Sequence, residues 1–264
     1  MGLGAIILPL AQGGDGFVRD PAEASTECVA KNDTVCIGWA LENIDRYVTP
    51  TLEHLVLVVV SVLAGFAIAF AMALISHRRR WLIPAFTAGT GVLYTVPSIA
   101  LFLLLLPITG RGTLTAIVAL TLYTLQILYR NNVTGLANVP EATKDSGRGM
   151  GMTDRQLLWR VELPLAVPEI IAGLRIATVS TVAIATLAVF AGAGGLGAEI
   201  YNDLTFKTGI VVAGGIAVAM AILFDVVLVG LQSRLAGWRK AHEAGAGDAG
   251  RFAGALARLR GAHS

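Results

Sequence analysis

Arg175 and Asp225 stand inside otherwise apolar runs. A charge at the centre of a membrane helix costs roughly 2.5–3.5 kcal/mol on insertion scales unless it finds a partner or a route to water. Each residue could snorkel, and Asp225 could begin a proton relay, although one acid without titratable neighbours makes a short chain. An ion pair between Arg175 and Asp225 is therefore the expectation. Cys28 and Cys36 offer either free thiols or a local disulfide. Two cysteines without a nearby histidine supply too few ligands for structural zinc, so no metal site is expected. His54 and His77 border an apolar run, while His242 and His263 lie near the carboxy terminus; all read as interface or surface residues. The glycine-dense run Phe190-Ala-Gly-Ala-Gly-Gly-Leu-Gly-Ala-Glu-Ile200 lacks a Lys-Ser/Thr ending and follows an apolar helix rather than a strand, so it is not a phosphate loop. Such density ends a helix and lets backbone segments approach closely. No nucleophile–histidine pair is placed by local motif. The chain does not read as an enzyme.

The elements that must position these residues are membrane helices. The chain is 55% hydrophobic and 14% charged, which fits an all-α polytopic membrane protein better than a soluble domain. Five stretches, at 52–76, 82–107, 113–131, 168–190 and 210–233, approach or exceed the ~20 residues needed to cross a bilayer. Arg78, Arg79 and Arg80 follow the first; Arg130, Lys144, Arg148, Arg155 and Arg160 follow the third; Arg234, Arg239, Lys240, Arg251, Arg258 and Arg260 follow the fifth. The opposite side receives only Arg19, Lys31, Arg46, Arg111 and Lys207. Positive charge concentrates on the cytoplasmic side, so the amino terminus is expected outside and the carboxy terminus inside.

That topology divides the chain into an extracytoplasmic segment (1–51), a transmembrane domain (52–233) with a cytoplasmic loop at 132–167, and a cytoplasmic tail (234–264). Met1–Leu10 is apolar but lacks a basic leader and is too short to span. The oxidising side receives Cys28 and Cys36, which favours their disulfide over free thiols. Arg251–Arg260 offers either a solvated tail or a basic amphipathic helix on anionic lipid. Small residues such as Gly65, Ala69, Gly209 and Gly214 permit close helix packing, including between subunits.

The loop at 132–167 is too charged for hydrocarbon, yet it reads as a folded element. Thr153 or Asp154 is placed as a cap before helically spaced apolar residues, and Pro164 and Pro168 punctuate the chain before the next span. It resembles the coupling loop of ATP-binding cassette importer permeases, whose pattern is Glu-Ala-Ala, three residues, Gly, nine residues, Ile, one residue, Leu-Pro. Asp145, Ser146 and Gly147 stand at the Glu-Ala-Ala positions, Gly151 at the Gly, Val161 at the Ile, and Leu163-Pro164 at the Leu-Pro. Gly-Arg-Gly-Met-Gly-Met-Thr and Arg-Val-Glu-Leu-Pro-Leu are similar to the osmoprotectant branch, which serves glycine betaine, carnitine and choline. Thr95-Val-Pro97-Ser98-Ile-Ala-Leu and the Gly192, Gly194, Gly195, Gly197 run resemble that branch too, the glycine run being shared with methionine permeases. Two positions depart from the family: Ile127 replaces a proline, which should straighten the third span, and Gln126 replaces leucine and needs a hydrogen-bonding partner.

The resemblance implies five transmembrane helices of the methionine-importer type in a bacterial cell membrane. It implies a cytoplasmic cassette ATPase dimer that binds the ATP and Mg, a second permease subunit, identical or related, and an extracytoplasmic substrate-binding protein. Asp145, Ser146, Gly147, Gly151, Met152, Thr153, Leu157, Leu163 and Pro164 would form the ATPase contact. Thr95, Pro97, Ser98, Gln126 and the glycine run would line or gate the pathway, with a break expected near Tyr94–Pro97. No cofactor is expected on this chain, and no nucleic acid as a partner. A permease for methionine or another small solute is the alternative. A standalone secondary carrier leaves the coupling loop unexplained and lacks a midplane ionisable cluster.

Overall fold

The computed structural model describes residues 27–235; Met1–Leu10 and the basic stretch at 251–260 lie outside them. Every regular element among the described residues is helical. In chain order, after helical residues at 27–30, these are α1 (Ile37–Glu42), a 3₁₀ turn (Ile44–Tyr47), α2 (Val48–Arg78), α3 (Leu82–Thr95), α4 (Ser98–Thr109), α5 (Thr113–Ala137) and α6 (Glu141–Gly149). Then come α7 (Asp154–Leu157), a π turn (Leu158–Glu162), α8 (Leu163–Ala185), a 3₁₀ turn (Thr186–Ala191), α9 (Leu196–Asn202) and α10 (Lys207–Leu235).

Among the described residues, four helical stretches are long and apolar enough to cross a membrane: Ile44–Arg78, Thr113–Ala137, Asp154–Ala191 and Lys207–Leu235. The span expected at 82–107 breaks where expected, after Thr95, into two helices bent by 99°. The break is sharper than a proline kink. Val96 takes an extended conformation (ψ 128°) because the ring of Pro97 crowds the preceding residue out of the helical region. At 14 residues, α3 reaches about 21 Å, short of the ~30 Å hydrocarbon core, so it crosses only together with α4.

The chain after Pro164 also corrects the sequence reading. Pro164 and Pro168 do not separate the loop from the span; helix runs without a stop from Asp154 to Ala191. The π turn ends two residues before Pro164. Its wider turn moves the preceding carbonyls away from the proline ring, where a regular α-helix would bring a clash. The separate helix of the loop lies earlier, at α6, a polar segment whose two glycines weaken its intrinsic helical preference.

In a bilayer the tails are as apolar as leucine, so helices associate through close packing. α5 is the axis of the bundle, flanked by α2 and α8, and α10 packs on α8. Glycines allow both approaches: a Cβ on Gly65 of α2 would overlap the Thr124 hydroxyl, and one on Gly173 of α8 would overlap the Asn131 side chain. Leu120, Leu128 and Tyr129 of α5 are consequently fully buried. α10 is different. It buries Ala213, Ala217 and Met220 but leaves Val218, Ile222, Leu223, Val226 and Val227 exposed.

Candidate coupling surface and translocation elements

At one end of the bundle, α6 and α7 form a rigid corner. Gly151 takes φ +80°, and its N–H donates to the Arg148 carbonyl while Met152 N–H donates to Gly147 O at 3.2 Å. This pair of bonds closes the carboxy end of α6 with glycine in the left-handed conformation such a stop requires. Two residues on, Thr153 opens α7 with a reciprocal cap: Gln156 N–H donates to Thr153 Oγ1, and Thr153 N–H donates to Gln156 Oε1 at 2.9 Å. Both helix ends therefore satisfy their backbone groups within three residues of each other. Gly147 is buried where a Cβ would come 2.6 Å from Leu157 Cδ1, so α6 lies directly on the start of the long helix.

The corner brings Gly147, Met152, Thr153 and Leu157 together, and leaves Asp145 and Ser146 exposed on the far face of α6. Met150, at the tip, is 71% exposed. Leu163 is buried in a second cluster with Leu136, Leu158 and Ile170, so Leu163 and Pro164 belong to the long helix rather than to the α6 surface. On the bundle side, His77 Nε2 lies 3.1 Å from the buried Glu162 carboxylate, and Lys144 Nζ lies 3.3 Å from Glu141.

The break at Val96–Pro97 is held by α5. The Tyr123 hydroxyl donates to the Val96 carbonyl, which the missing Pro97 helix geometry leaves open, and Tyr94 meets the Tyr123 ring edge-on at 6.0 Å. Gln126 finds its partner one turn further along α5: its amide meets the Thr90 hydroxyl, which also lies 2.8 Å from Phe86 O. The Gln126 amide oxygen and the Phe86 carbonyl both accept from that hydroxyl, whose single proton they share. Thr95 is exposed and Ser98 half-buried beside the break. Replacing Gln126 by Leu is expected to leave this helix pair intact but to lower the melting temperature by a few degrees at most, since one neutral hydrogen bond contributes about 1 kcal/mol. A thermal melt of the solubilised protein checks it.

At the opposite end from α6, the glycine run is stapled to the start of α2. Gly192 (φ +80°) and Gly195 (φ +95°) turn the chain out of the 3₁₀ turn and into α9. Gly195 N–H donates to Glu53 Oε2 at 2.8 Å, Gly112 N–H donates to Ala191 O at 2.8 Å, and Arg46 pairs with Glu199 at 2.8 Å. His54, expected at a surface, is fully buried: its Nε2 lies 3.1 Å from Val182 O. Its position early in α2 suggested exposure, but α8 and the glycine run cover that face.

Cys28 and Cys36 are joined, with Cα atoms 5.9 Å apart. The small loop they close clamps the entry to α10: Asn32 donates to Thr205 O and accepts from Lys207 N–H, and Thr208 donates to Asp33 O at 2.8 Å. Closing a loop this short contributes about 2–3 kcal/mol in a chain-entropy account. Reduction, or Cys28→Ser with Cys36→Ser, should lower stability by that order and speed amide exchange at Thr205–Thr208, measured by hydrogen–deuterium exchange. Within the helices, Arg175 meets Asp225 as a two-pronged pair, Nε to Oδ1 at 2.9 Å and Nη2 to Oδ2 at 3.1 Å. No group of three His, Cys, Asp or Glu side chains fit to hold a metal occurs among the described residues.

Residues 54–237 match the family described as the binding-protein-dependent transport system inner membrane component. The chain belongs to that family. Membership makes this permease a multi-pass membrane transport component and not an enzyme. It is 36% identical over 208 residues to the carnitine transport permease protein OpuCB of Listeria monocytogenes, covering 77% of this chain and 95% of that one. It is 41% identical over 170 residues to the choline transport system permease protein OpuBD of Bacillus subtilis, covering 63% and 75%. It is 34% identical over 203 residues to the osmoprotectant import permease protein OsmW of Salmonella typhimurium, covering 74% and 94%. Among solved structures, a chain of the inward-facing MetNI methionine transporter superposes with a TM-score of 0.67 at 22% identity, covering 72% of this permease and 95% of that chain. That likeness is one of fold.

Proposed function

We propose that this chain is the membrane-spanning permease subunit of an ATP-driven importer for glycine betaine, choline, carnitine or similar osmoprotectants. The relatives that cover most of this chain carry those substrates in their names, which supports the substrate class. The observation that carries the mechanism is the α6–α7 corner: a largely exposed helix, closed at its carboxy end by backbone bonds and followed at once by the Thr153–Gln156 cap, lying on the root of a membrane-crossing helix. Such a corner passes a push from a soluble partner into the bundle without absorbing it in a flexible linker. The partner in this reading is a cassette ATPase dimer, which binds the ATP and Mg; this chain binds no cofactor. The α6 end, with Arg78–Arg80 beside it, faces the cytoplasm. The disulfide and the glycine run face outward, toward a substrate-binding protein. The exposed apolar face of α10 is covered by a second permease subunit.

Coupling is tested at the tip of the corner. Met150 is exposed, so Met150→Asp should leave folding unchanged while lowering ATPase co-purification and ATP-dependent uptake by tenfold or more, roughly what one apolar-to-charged change at an interface centre does. Gly151→Val, forced into φ +80°, should reproduce the defect and also cost about 1–2 kcal/mol of stability. Wild-type uptake and ATPase retention in both variants would overturn the docking assignment.

A further inference from the structure

Between α6 and the end of α2 lies a polar cavity of about 450 Å³. Its walls carry His77, Arg78, Arg80, Lys144 and Arg148 against the carboxylates of Asp154 and Glu162. Glu162 is already engaged by His77, Lys144 by Glu141, and Arg148 by Asp145 at 3.2 Å. Arg78 and Arg80 have no ion pair among the described residues, so the cavity keeps an excess of positive charge. It has room for on the order of fifteen waters, ample for a phosphodiester with its glycerol. It also opens beside the last residue of a membrane-crossing helix, and Trp81 (72% exposed), next in the chain after Arg80, is the kind of amphipathic ring that settles at headgroup level.

We propose that this cavity binds the headgroup of an anionic phospholipid, such as phosphatidylglycerol, through Arg78 and Arg80, with Lys144 and Arg148 on the opposite wall. Basic pockets at the cytoplasmic end of membrane helices take such headgroups, and the arginine fork suits a phosphodiester's paired oxygens. The bound lipid bridges α2 to α6. It thereby holds the coupling helix at a fixed height relative to the bundle, so lipid composition bears on coupling. That consequence rests on α6 being the ATPase contact; the lipid site itself does not.

The site is tested on the full-length permease alone, partly delipidated in detergent and offered phosphatidylglycerol or phosphatidylcholine, with retained lipid counted by native mass spectrometry. Wild-type protein should retain phosphatidylglycerol preferentially. Arg78→Gln and Arg80→Gln should each lower that retention by roughly fivefold, the equivalent of about 1 kcal/mol per basic residue at a membrane surface. Arg79→Gln, outside the cavity, should not lower it. Equal retention of the two lipids, or unchanged retention in the Arg78→Gln, Arg80→Gln double variant, overturns the proposal. So does displacement of the lipid by millimolar inorganic phosphate, which would make the ligand a soluble anion. A double variant that keeps its lipid but loses the ATPase would assign the two arginines to an acidic patch on that partner instead. Failure of Met150→Asp to uncouple would leave the lipid result standing, so the two readings fail separately.

Discussion

Gly197→Ala should be among the most damaging single substitutions in the chain, destabilising the solubilised permease by about 3 kcal/mol. The added methyl would overlap the carbonyl oxygen, carbonyl carbon and Cα of Thr186, all of them backbone atoms. A side chain could rotate away; a helix backbone between α8 and α9 cannot. Gly194 makes the contrast. A Cβ there would strike the end of the Glu53 side chain, which can swing aside at the cost of its bond to Gly195 N–H, so Gly194→Ala should cost about 1 kcal/mol. Gly89, with open space around it in α3, should accept alanine neutrally or with a small gain. Thermal unfolding of the three variants in one detergent gives the ranking. If Gly197→Ala melts with wild type, α9 does not lie against Thr186 in this way.

Asp225→Asn is the second large effect. The two-pronged pair leaves each side chain about one-third exposed (31% for Arg175, 39% for Asp225), so solvent or headgroups screen part of the charge. Removing the carboxylate leaves the Arg175 guanidinium with neutral acceptors alone, the amide oxygen that remains at position 225 and the Gln232 amide oxygen, 3.4 Å from Nη1. Gln232 is itself tied to α8 through Pro168 O at 3.0 Å, so the pair sits in a clamp between α8 and α10. An unmatched charge at membrane depth, discounted for exposure, should cost about 2 kcal/mol. Adding Arg175→Gln should recover more than half of the loss, because both charges are then gone together. A double variant no more stable than Asp225→Asn alone would mean that Arg175 is satisfied elsewhere.

What the sequence revealed and what it hid divide along a physical line. Cost arguments worked over long separations: a lone arginine and a lone aspartate in apolar runs point at each other because each is expensive alone, and they lie within hydrogen-bond distance across fifty residues of chain. Local backbone chemistry was partly legible. Thr153 or Asp154 reads as a cap from the helically spaced apolar residues that follow, but the preceding α6 carries two glycines among its nine residues, so its helicity leans on packing against Leu157 and on its closed carboxy end. Pro164 misled, since a proline normally ends a helix and only the π turn upstream lets this one pass. His54 misled because a helix terminus looks exposed until the element that covers it, 128 residues later in sequence, is known. The 99° break needed tertiary knowledge too: Pro97 announces a disturbance, while the Tyr123 hydroxyl on the Val96 carbonyl sets how far it goes.

The uninterrupted helix from Asp154 to Ala191 has a mechanical meaning. At 38 residues it is about 57 Å long, with the α6 corner at its foot and the glycine run at its head. A rod of that length is a lever arm. A tilt of only about 5° pivoting at the foot would carry the head roughly 5 Å sideways, on the order of one helical turn. The Glu53 staple on Gly195 then sits where the stroke is longest and the smallest angular input has the largest reach.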